Sequence, residues 1–264
     1  MPPESHLPAI DWELPYFAPW RVPGAGVHAA VRHGRQLHEA LNAAGAAPVR
    51  FTPQDALPPG EAYEQFIFRT GLCPVRAGLH DFFHGLVWLH FPRTKLQLNR
   101  LQAQEIARLG TGSRRGAVRD AITVFDENGA LLDAPPPVWE ALVAREWKRL
   151  FVELRPLWRE ARLLLFDHAL LEQLAVAPRK GLCAHVWRTP CALDSGAGAD
   201  AWLAVQCTAA VLAGKPFTPL PVLGVPGWWA ANENFSFYDD SHVFRPRQTP
   251  EPIPQQSSAG PART

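Results

Sequence analysis

Residues 162–187 read RLLLFDHALLEQLAVAPRKGLCAHVW, and this stretch decides the fold. The apolar run Arg162–Phe166 predicts a short strand, and Leu182–Trp187 predicts a second one. Between them His168–Leu174 fits a helix, with Asp167 as its expected N-cap. A strand–helix–strand unit near 162–187 places at least one helix against a sheet, which is typical of mixed α/β proteins.

A further sheet element is predicted near residues 119–132. The apolar segments Ala121–Phe125 and Ala130–Leu132 are separated by Asp126-Glu127-Asn128-Gly129. Because Asn-Gly readily supplies the positive φ angles of a tight turn, this segment predicts a β-hairpin with Asp126 as a turn residue.

Helices are expected over much of the remaining chain. Thr94–Leu109 shows apolar residues at helical spacing, and Val138–Trp158 mixes apolar and charged residues as a long amphipathic helix does. Leu79–Leu89 is too apolar for a surface helix and is expected to be buried. The fold class is therefore predicted to be helix-rich α+β with a small sheet.

One domain is expected for the whole chain. Residues 1–247 carry enough apolar side chains for a single large core, whereas residues 248–264 are rich in Pro, Gln, Ser and Gly. That composition offers little to bury and predicts a disordered C-terminal tail.

Bulk composition excludes several classes of protein. The 26 basic and 25 acidic residues nearly cancel, so no global field draws the chain to nucleic acid or to an anionic membrane. The sequence contains no run of eighteen apolar residues, so no membrane span is expected, and the first residues lack the pattern of a signal peptide. The four cysteines form no Cys-x-x-Cys pair. We therefore expect a soluble cytoplasmic protein with free thiols.

The densest group of chemically active residues is Leu79-His80-Asp81-Phe82-Phe83-His84. On a continuous helix His80 and His84 lie one turn apart on the same face, close enough to share a metal ion. Asp81 is also a good N-cap, and a helix beginning there would leave His80 outside it. Two interpretations follow: a His/Asp site, or a capping aspartate beside two packed histidines.

A basic stretch follows this cluster and includes Arg93, Lys95 and Asn99, then Arg100, Arg108, Arg114, Arg115 and Arg119. Clustered cations are what a phosphate-bearing ligand requires. A solvated helix face with a flexible loop explains the same pattern. Because Lys95 and Asn99 are one turn apart on a helix that begins just after the histidines, both are candidates for contacts with the same ligand.

A second candidate site begins where the strand 162–166 ends. His168 and Glu172 are one turn apart and suit an acid–base pair or two metal ligands, and ligands often bind at the carboxyl ends of strands. An N-capping Asp167 beside a structural histidine is the alternative. Asn232 lies in the polar, aromatic loop that follows Trp228 and Trp229, and such loops often line sites.

Six short motifs are spread along the chain: Tyr63-Glu64, His80-Asp81-Phe82-Phe83, Phe91-Pro92-Arg93-Thr94-Lys95, Asn99, Phe125-Asp126-Glu127-Asn128-Gly129 and Phe237-Tyr238-Asp239-Asp240. Together they resemble a proteobacterial family of uncharacterised proteins, the domain of unknown function three-zero-two-five. The resemblance runs from about Trp12 to Arg247 and implies a bacterial setting but no mechanism. Members tend to carry Asn at the position of His84, which weakens a metal site built on His80 and His84.

These patterns favour a hydrolase-type enzyme that acts on a phosphorylated or nucleic-acid-derived substrate. We expect His80 to act as base or metal ligand and Asp81 to orient it, because a base needs a partner that fixes its tautomer. The expected catalytic residues are His80, Asp81, His168 and Glu172, and the expected substrate-binding residues are Arg93, Lys95, Asn99 and Asn232.

Cofactor and partner expectations follow from the same residues. The histidines are compatible with a divalent metal ion as cofactor. No dinucleotide is expected, because no Gly-x-Gly-x-x-Gly motif follows a predicted strand. The expected ligand is an anionic small molecule or nucleic acid, with no membrane partner. The alternative is a non-catalytic binding or scaffold protein that uses the Trp-rich loops and the basic stretch.

Overall fold

The computed structural model describes residues 7–110, 116–166, 168–190, 193 and 196–247. The tail 248–264 and the predicted cap Asp167 lie outside the described residues. The described helices are α1 (Ala18–Arg32), α2 (Leu37–Ala44), α3 (Tyr63–Thr70), α4 (Leu79–His90), α5 (Pro92–Leu109), α6 (Gly116–Asn128), α7 (Pro136–Ala144), α8 (His168–Val176), α9 (Gly196–Gln206) and α10 (Ala209–Ala213). The described strands are β1 (Arg50–Pro53), β2 (Leu72–Val75), β3 (Gly129–Asp133), β4 (Arg162–Leu165), β5 (Cys183–Arg188) and β6 (Thr218–Pro221).

The predicted fold class is confirmed: the chain is a helix-rich α+β domain with small sheets. The larger sheet has the strand order β4-β3-β5-β6, and β1 and β2 form a separate parallel pair. Within the larger sheet β3 runs antiparallel to β4 and parallel to β5. Residues 129–132 of β3 are buried, which explains their continuous apolar sequence.

The strand–helix–strand unit predicted near 162–187 is present as β4, α8 and β5. Its two strands are not neighbours, because β3 lies between them in the sheet. Phe166, directly after β4, donates its backbone N–H to the Gly129 carbonyl at 2.9 Å. This bond joins the end of α6 to the start of α8, and so it brings Asp126 and His168 to the same region.

The β-hairpin predicted near 119–132 is wrong. Residues 116–128 form α6 instead, and only the second half of the segment, β3, is a strand. Ala121, Ile122 and Phe125 are all buried, which is the i, i+3, i+4 pattern of one helix face. Asn128-Gly129 is thus the junction between a helix and a strand, and Asp126 is a helical residue.

The long helix predicted over Val138–Trp158 is also wrong, because the segment breaks into three pieces. Helix α7 ends at Arg145, which has a φ of 56°. A π-helical turn, Arg149–Glu153, and a 3₁₀ segment, Arg155–Arg159, follow. Pro156 stands in the first turn of the 3₁₀ segment, where its missing N–H costs least.

The helices surround α4, which carries almost no exposed side chain. Its segment 81–88 is buried throughout, as the apolar density of the sequence predicted. Helix α4 packs against α8 and α5, and α6 packs against both α5 and α8. None of the described helices combines the length and the apolar character needed to cross a membrane.

Candidate functional site

A cavity of about 460 Å³ lies where α3, α4, α6 and α8 meet. Its walls are mostly polar, with imidazole, carboxylate and guanidinium groups close together. The residues that carry chemistry are Tyr63 and Glu64 on α3, Arg76 before α4, His80, Asp81 and His84 on α4, Arg119, Thr123, Asp126 and Glu127 on α6, and His168 on α8. A small, polar ligand fits such a cavity better than an apolar one.

Three imidazoles stand together at one side of the cavity. Helix α4 begins at Leu79, so His80 and His84 both lie within it, one turn apart. His168, the first residue of α8, lies edge-on to both, with ring centroids 4.4 Å from His80 and 4.9 Å from His84. The structure therefore brings the two histidine sites of the sequence into one cluster.

The side chain of His80 is oriented by a carboxylate from another helix. Nδ1 of His80 lies 3.1 Å from Oε2 of Glu172 on α8, and the two side chains are 41% and 37% exposed. The structure thus differs from two expectations: Glu172 pairs with His80 rather than with His168, and Glu172 takes the orienting role expected of Asp81. Among the described residues Nε2 of His80 has no hydrogen-bond partner, so it is the nitrogen available to a ligand.

Asp81 instead fixes the segment that precedes α4. Its Oδ2 accepts a hydrogen bond from the backbone N–H of Arg76 at 2.5 Å, and both oxygens accept from the guanidinium of the same residue. This bonding raises the pKa of the Arg76 guanidinium. Asp81 lies in the first turn of α4, after its N-cap Gly78, so its carboxylate also stabilises the helix start.

Lys95 and Asp126 form a buried ion pair behind the histidines. Lys95 Nζ lies 2.6 Å from Asp126 Oδ1, and the side chains are only 4% and 11% exposed. The ammonium also lies over the Trp88 ring, 5.4 Å from its centroid. Burial is the largest influence on the Asp126 carboxyl and acts to raise its pKa, but Lys95, His168 and His80 together outweigh burial, so this pKa lies below its ordinary value.

Asn99 lies one turn further along α5 and bonds to α3. Its Nδ2 donates to Glu64 Oε2 at 2.6 Å and to the Glu64 backbone carbonyl at 2.8 Å. Burial raises the pKa of the Glu64 carboxyl, although Lys95 opposes this shift. Glu64 and Asp126 therefore line one cavity with pKa values displaced in opposite directions, a pattern common in acid–base sites.

Burial keeps two of the imidazoles neutral near pH 7. It lowers the pKa of His168 to about 4 and that of His84 well below its usual range, and Lys95 adds to both shifts. Nδ1 of His168 is buried and has no hydrogen-bond partner among the described residues. A polar atom left in this state is a common feature of sites that receive a ligand or water.

Arg119 contributes a second guanidinium to the cavity wall. Within the described part of the chain it donates one hydrogen bond, a long one of 3.4 Å to the Gly110 carbonyl, and its buried Nε has no partner there. Among the described residues Arg119 forms no ion pair. Arg119 therefore has donor capacity left for an anion.

None of the four predicted substrate-binding residues lines this cavity: Lys95 and Asn99 lie behind its wall, bonded to Asp126 and Glu64, and Arg93 and Asn232 lie elsewhere. Arg93 is exposed at the start of α5, where the Asp200 carboxylate accepts the backbone N–H groups of Arg93 and Thr94. Asn232 is fully buried and donates to the carbonyls of Leu223 and Val225. Neither side chain lines the cavity, and the bonds of Asn232 explain it as a structural residue.

The histidine cluster does not have the geometry of a preformed metal centre. Within the described part of the chain, no three His, Cys, Asp or Glu side chains are placed to hold one metal ion. The ring of His168 packs edge-on against both members of the predicted pair, His80 and His84.

Four residues on α6 line the cavity but were not among the expected catalytic or substrate-binding residues: Arg119, which was placed only in the basic stretch, and Thr123, Asp126 and Glu127. Arg119, Thr123 and Asp126 follow the i, i+4, i+7 spacing of one helix face, and all three line the cavity. This spacing is visible in the sequence. The hairpin interpretation hid it, because it placed the same residues in a strand and a turn.

The site and the fold together define the class of protein: a helix-rich α+β domain with a polar, histidine-lined cavity. The chain belongs to the family described as Protein of unknown function (DUF3025), whose family model matches residues 49–248. This match includes every cavity residue named above and confirms the family resemblance seen in the sequence. No curated protein and no solved structure matches the chain.

Proposed function

We propose that this protein is a hydrolase for small phosphorylated or nucleic-acid-derived substrates, with His80 as the general base. The observation that carries the proposal is the contact of 3.1 Å between His80 Nδ1 and Glu172 Oε2 at the wall of an open cavity. A carboxylate on Nδ1 fixes the imidazole tautomer that leaves Nε2 unprotonated, which is the state a general base needs.

The reaction follows from this tautomer. Nε2 of His80 takes a proton from a water molecule, and the water oxygen forms a new bond to phosphorus. The bond from phosphorus to the leaving oxygen breaks, and that oxygen takes a proton from solvent. Glu172 stabilises the imidazolium formed in this step, as a carboxylate beside a catalytic histidine does in other hydrolases.

The arginines are suited to the anionic part of the substrate. Arg119 has no carboxylate partner among the described residues, and Arg76 shares the wall with it while bonded to Asp81. Guanidinium groups bind phosphate oxygens in a bidentate manner and stabilise charge that develops during transfer. Because His84 and His168 are neutral near pH 7, the arginines supply the positive charge on this wall.

The experiment is a turnover assay of the full chain on a panel of phosphate monoesters and diesters, including p-nitrophenyl phosphate and nucleoside monophosphates. His80→Gln is expected to lower kcat by about 100-fold or more, because general-base catalysis contributes about 10²–10⁴. Glu172→Gln is expected to lower kcat less, because Glu172 acts through the imidazole of His80. Arg119→Met is expected to raise KM.

His242→Gln is the matched control, since His242 is exposed and lies outside the cavity. Its kinetics should equal those of the wild type. Absence of turnover on the whole panel, or turnover that His80→Gln leaves unchanged, would overturn the proposal.

The alternative, a scaffold protein that binds through Trp-rich loops, gains no support from the positions of those loops. Trp228 and Trp229 are partly buried and pack against the core. The Trp228 ring lies 5.8 Å from that of Tyr16. These contacts explain the tryptophans by packing.

A further inference from the structure

A second concave surface lies on the outer side of α5, between α3 and α9. It has a volume of about 510 Å³ and includes residues from all three helices. We call it the α5 groove and define it by Phe68, Arg93, Leu96, Arg100 and Val205.

The floor of the α5 groove is unusually apolar for a surface. Phe68, Leu96 and Val205 are 55%, 46% and 72% exposed, and they come from three different helices. Each alone would be ordinary, because single apolar residues are common on protein surfaces. Three that border one concave surface are more typical of a site that another chain covers.

The rim of the α5 groove is positively charged. Arg93 and Arg100 are exposed, lie seven residues apart on α5 and thus share one helix face. Neither forms an ion pair with another described residue. Among the residues that the structure describes, no carboxylate lines the groove. These two arginines are part of the basic stretch of the sequence, and they point away from the histidine cavity.

We propose that the α5 groove binds an acidic amphipathic helix of a partner protein. The apolar face of that helix would cover Phe68, Leu96 and Val205, in the helix-in-groove mode of recognition. Its acidic residues would pair with Arg93 and Arg100. A second copy of this chain is disfavoured as the occupant, because a two-fold interface would bring the same arginines against each other.

The test is selection of 16-residue peptides from a displayed random library on the full-length protein, followed by binding measurements with the enriched peptides. We expect net negative peptides with apolar residues at i, i+3 or i+4 and i+7. Leu96→Asp, and separately the double variant Arg93→Glu with Arg100→Glu, should each weaken binding at least tenfold. Binding should also weaken as salt concentration rises, because the rim charges are exposed.

Two controls make the outcome specific. Val22→Asp changes an apolar residue on α1 that is more exposed than Leu96, at 91% against 46%, and should leave binding unchanged. His80→Gln should also leave it unchanged, so the result is independent of the proposed hydrolase activity. Circular dichroism confirms that each variant is folded.

Three results would overturn the proposal. In the first, Leu96→Asp does not weaken the binding of any enriched peptide. In the second, the enriched peptides lack acidic residues. In the third, light scattering shows that the protein is a dimer and that Leu96→Asp dissociates it. The last result would assign the groove to a second copy of the chain.

Discussion

Lys95 and Asp126 are the residues on which the site most depends for its charge balance. Each is buried, and each would be costly to bury alone. Their pairing places a carboxylate in the cavity wall and a cation behind it, beside neutral imidazoles. The pair therefore matters to the fold and to the electrostatics of the site at once.

Breaking this pair should destabilise the protein strongly. Lys95→Met leaves the Asp126 carboxylate buried without its partner, which typically costs about 3–5 kcal/mol. Lys148→Met removes an exposed partner of Asp239 and should cost less than about 1 kcal/mol. Urea unfolding at pH 7 measures both, and equal losses for the two variants would contradict the argument.

Buried neutral histidines predict a stability that falls in mild acid. The pKa of His168 drops from 6.5 to about 4 on folding, so the unfolded chain binds the proton more tightly. The contribution of His168 to the free energy of unfolding is fully present above pH 6.5. It is lost as the pH falls toward 4, at about 1.4 kcal/mol per pH unit for one proton. In urea titrations His168→Gln should flatten this slope, and His242→Gln should not.

At the residue scale, the sequence identified the side chains of the site more successfully than it identified their hydrogen-bond partners. His80, His168, Glu172 and Lys95 all belong to the cluster around the cavity. Glu172 was nevertheless assigned to His168, because that partner is one helical turn away. The true partner is His80, which is 92 positions distant, and only the packing of α4 on α8 reveals it.

At the element scale α6 shows why local sequence can mislead. Ile122, Thr123 and Val124 are β-branched and favour a strand, and the following Asn-Gly favours a turn. In the folded chain Ile122 and Phe125 pack on one face against the core, and this burial outweighs local preference. The strand at 162–165 was predicted correctly, as part of 162–166, because three leucines in a row fit neither an amphipathic helix nor a turn.

Gly129 tests the helix-to-strand junction. A Cβ at this position would clash with the Phe125 carbonyl oxygen and lie 2.7 Å from the Phe125 ring. Gly129→Ala should therefore cost about 1–3 kcal/mol through overpacking. Gly26, inside α1, has open space around it, so Gly26→Ala should stabilise by up to about 1 kcal/mol.

Thermal unfolding followed by circular dichroism compares the two glycine variants. Opposite shifts in Tm are expected. A neutral Gly129→Ala would show that the junction is looser than the contact with Phe125 implies.

At the scale of the whole molecule the buried apolar residues form one continuous core cluster. Trp20 and Trp88 lie inside it and serve as fluorescent reporters. We expect fluorescence and far-UV circular dichroism to report the same unfolding midpoint in urea, both for the full chain and for a variant that lacks residues 248–264. Two separate unfolding transitions would show that parts of the core unfold independently and would contradict this prediction.

The hydrogen bond between His80 and Glu172 also has a consequence for synthesis. Because these residues are 92 positions apart, a chain growing on the ribosome carries His80 well before its carboxylate partner exists. Domains form from the N-terminus as translation proceeds, at about 5–20 residues per second. A nascent or prematurely released chain that stops short of Glu172 therefore holds an imidazole with no fixed tautomer, and the contact with His80 can form only after residue 172 of the 264 has been added.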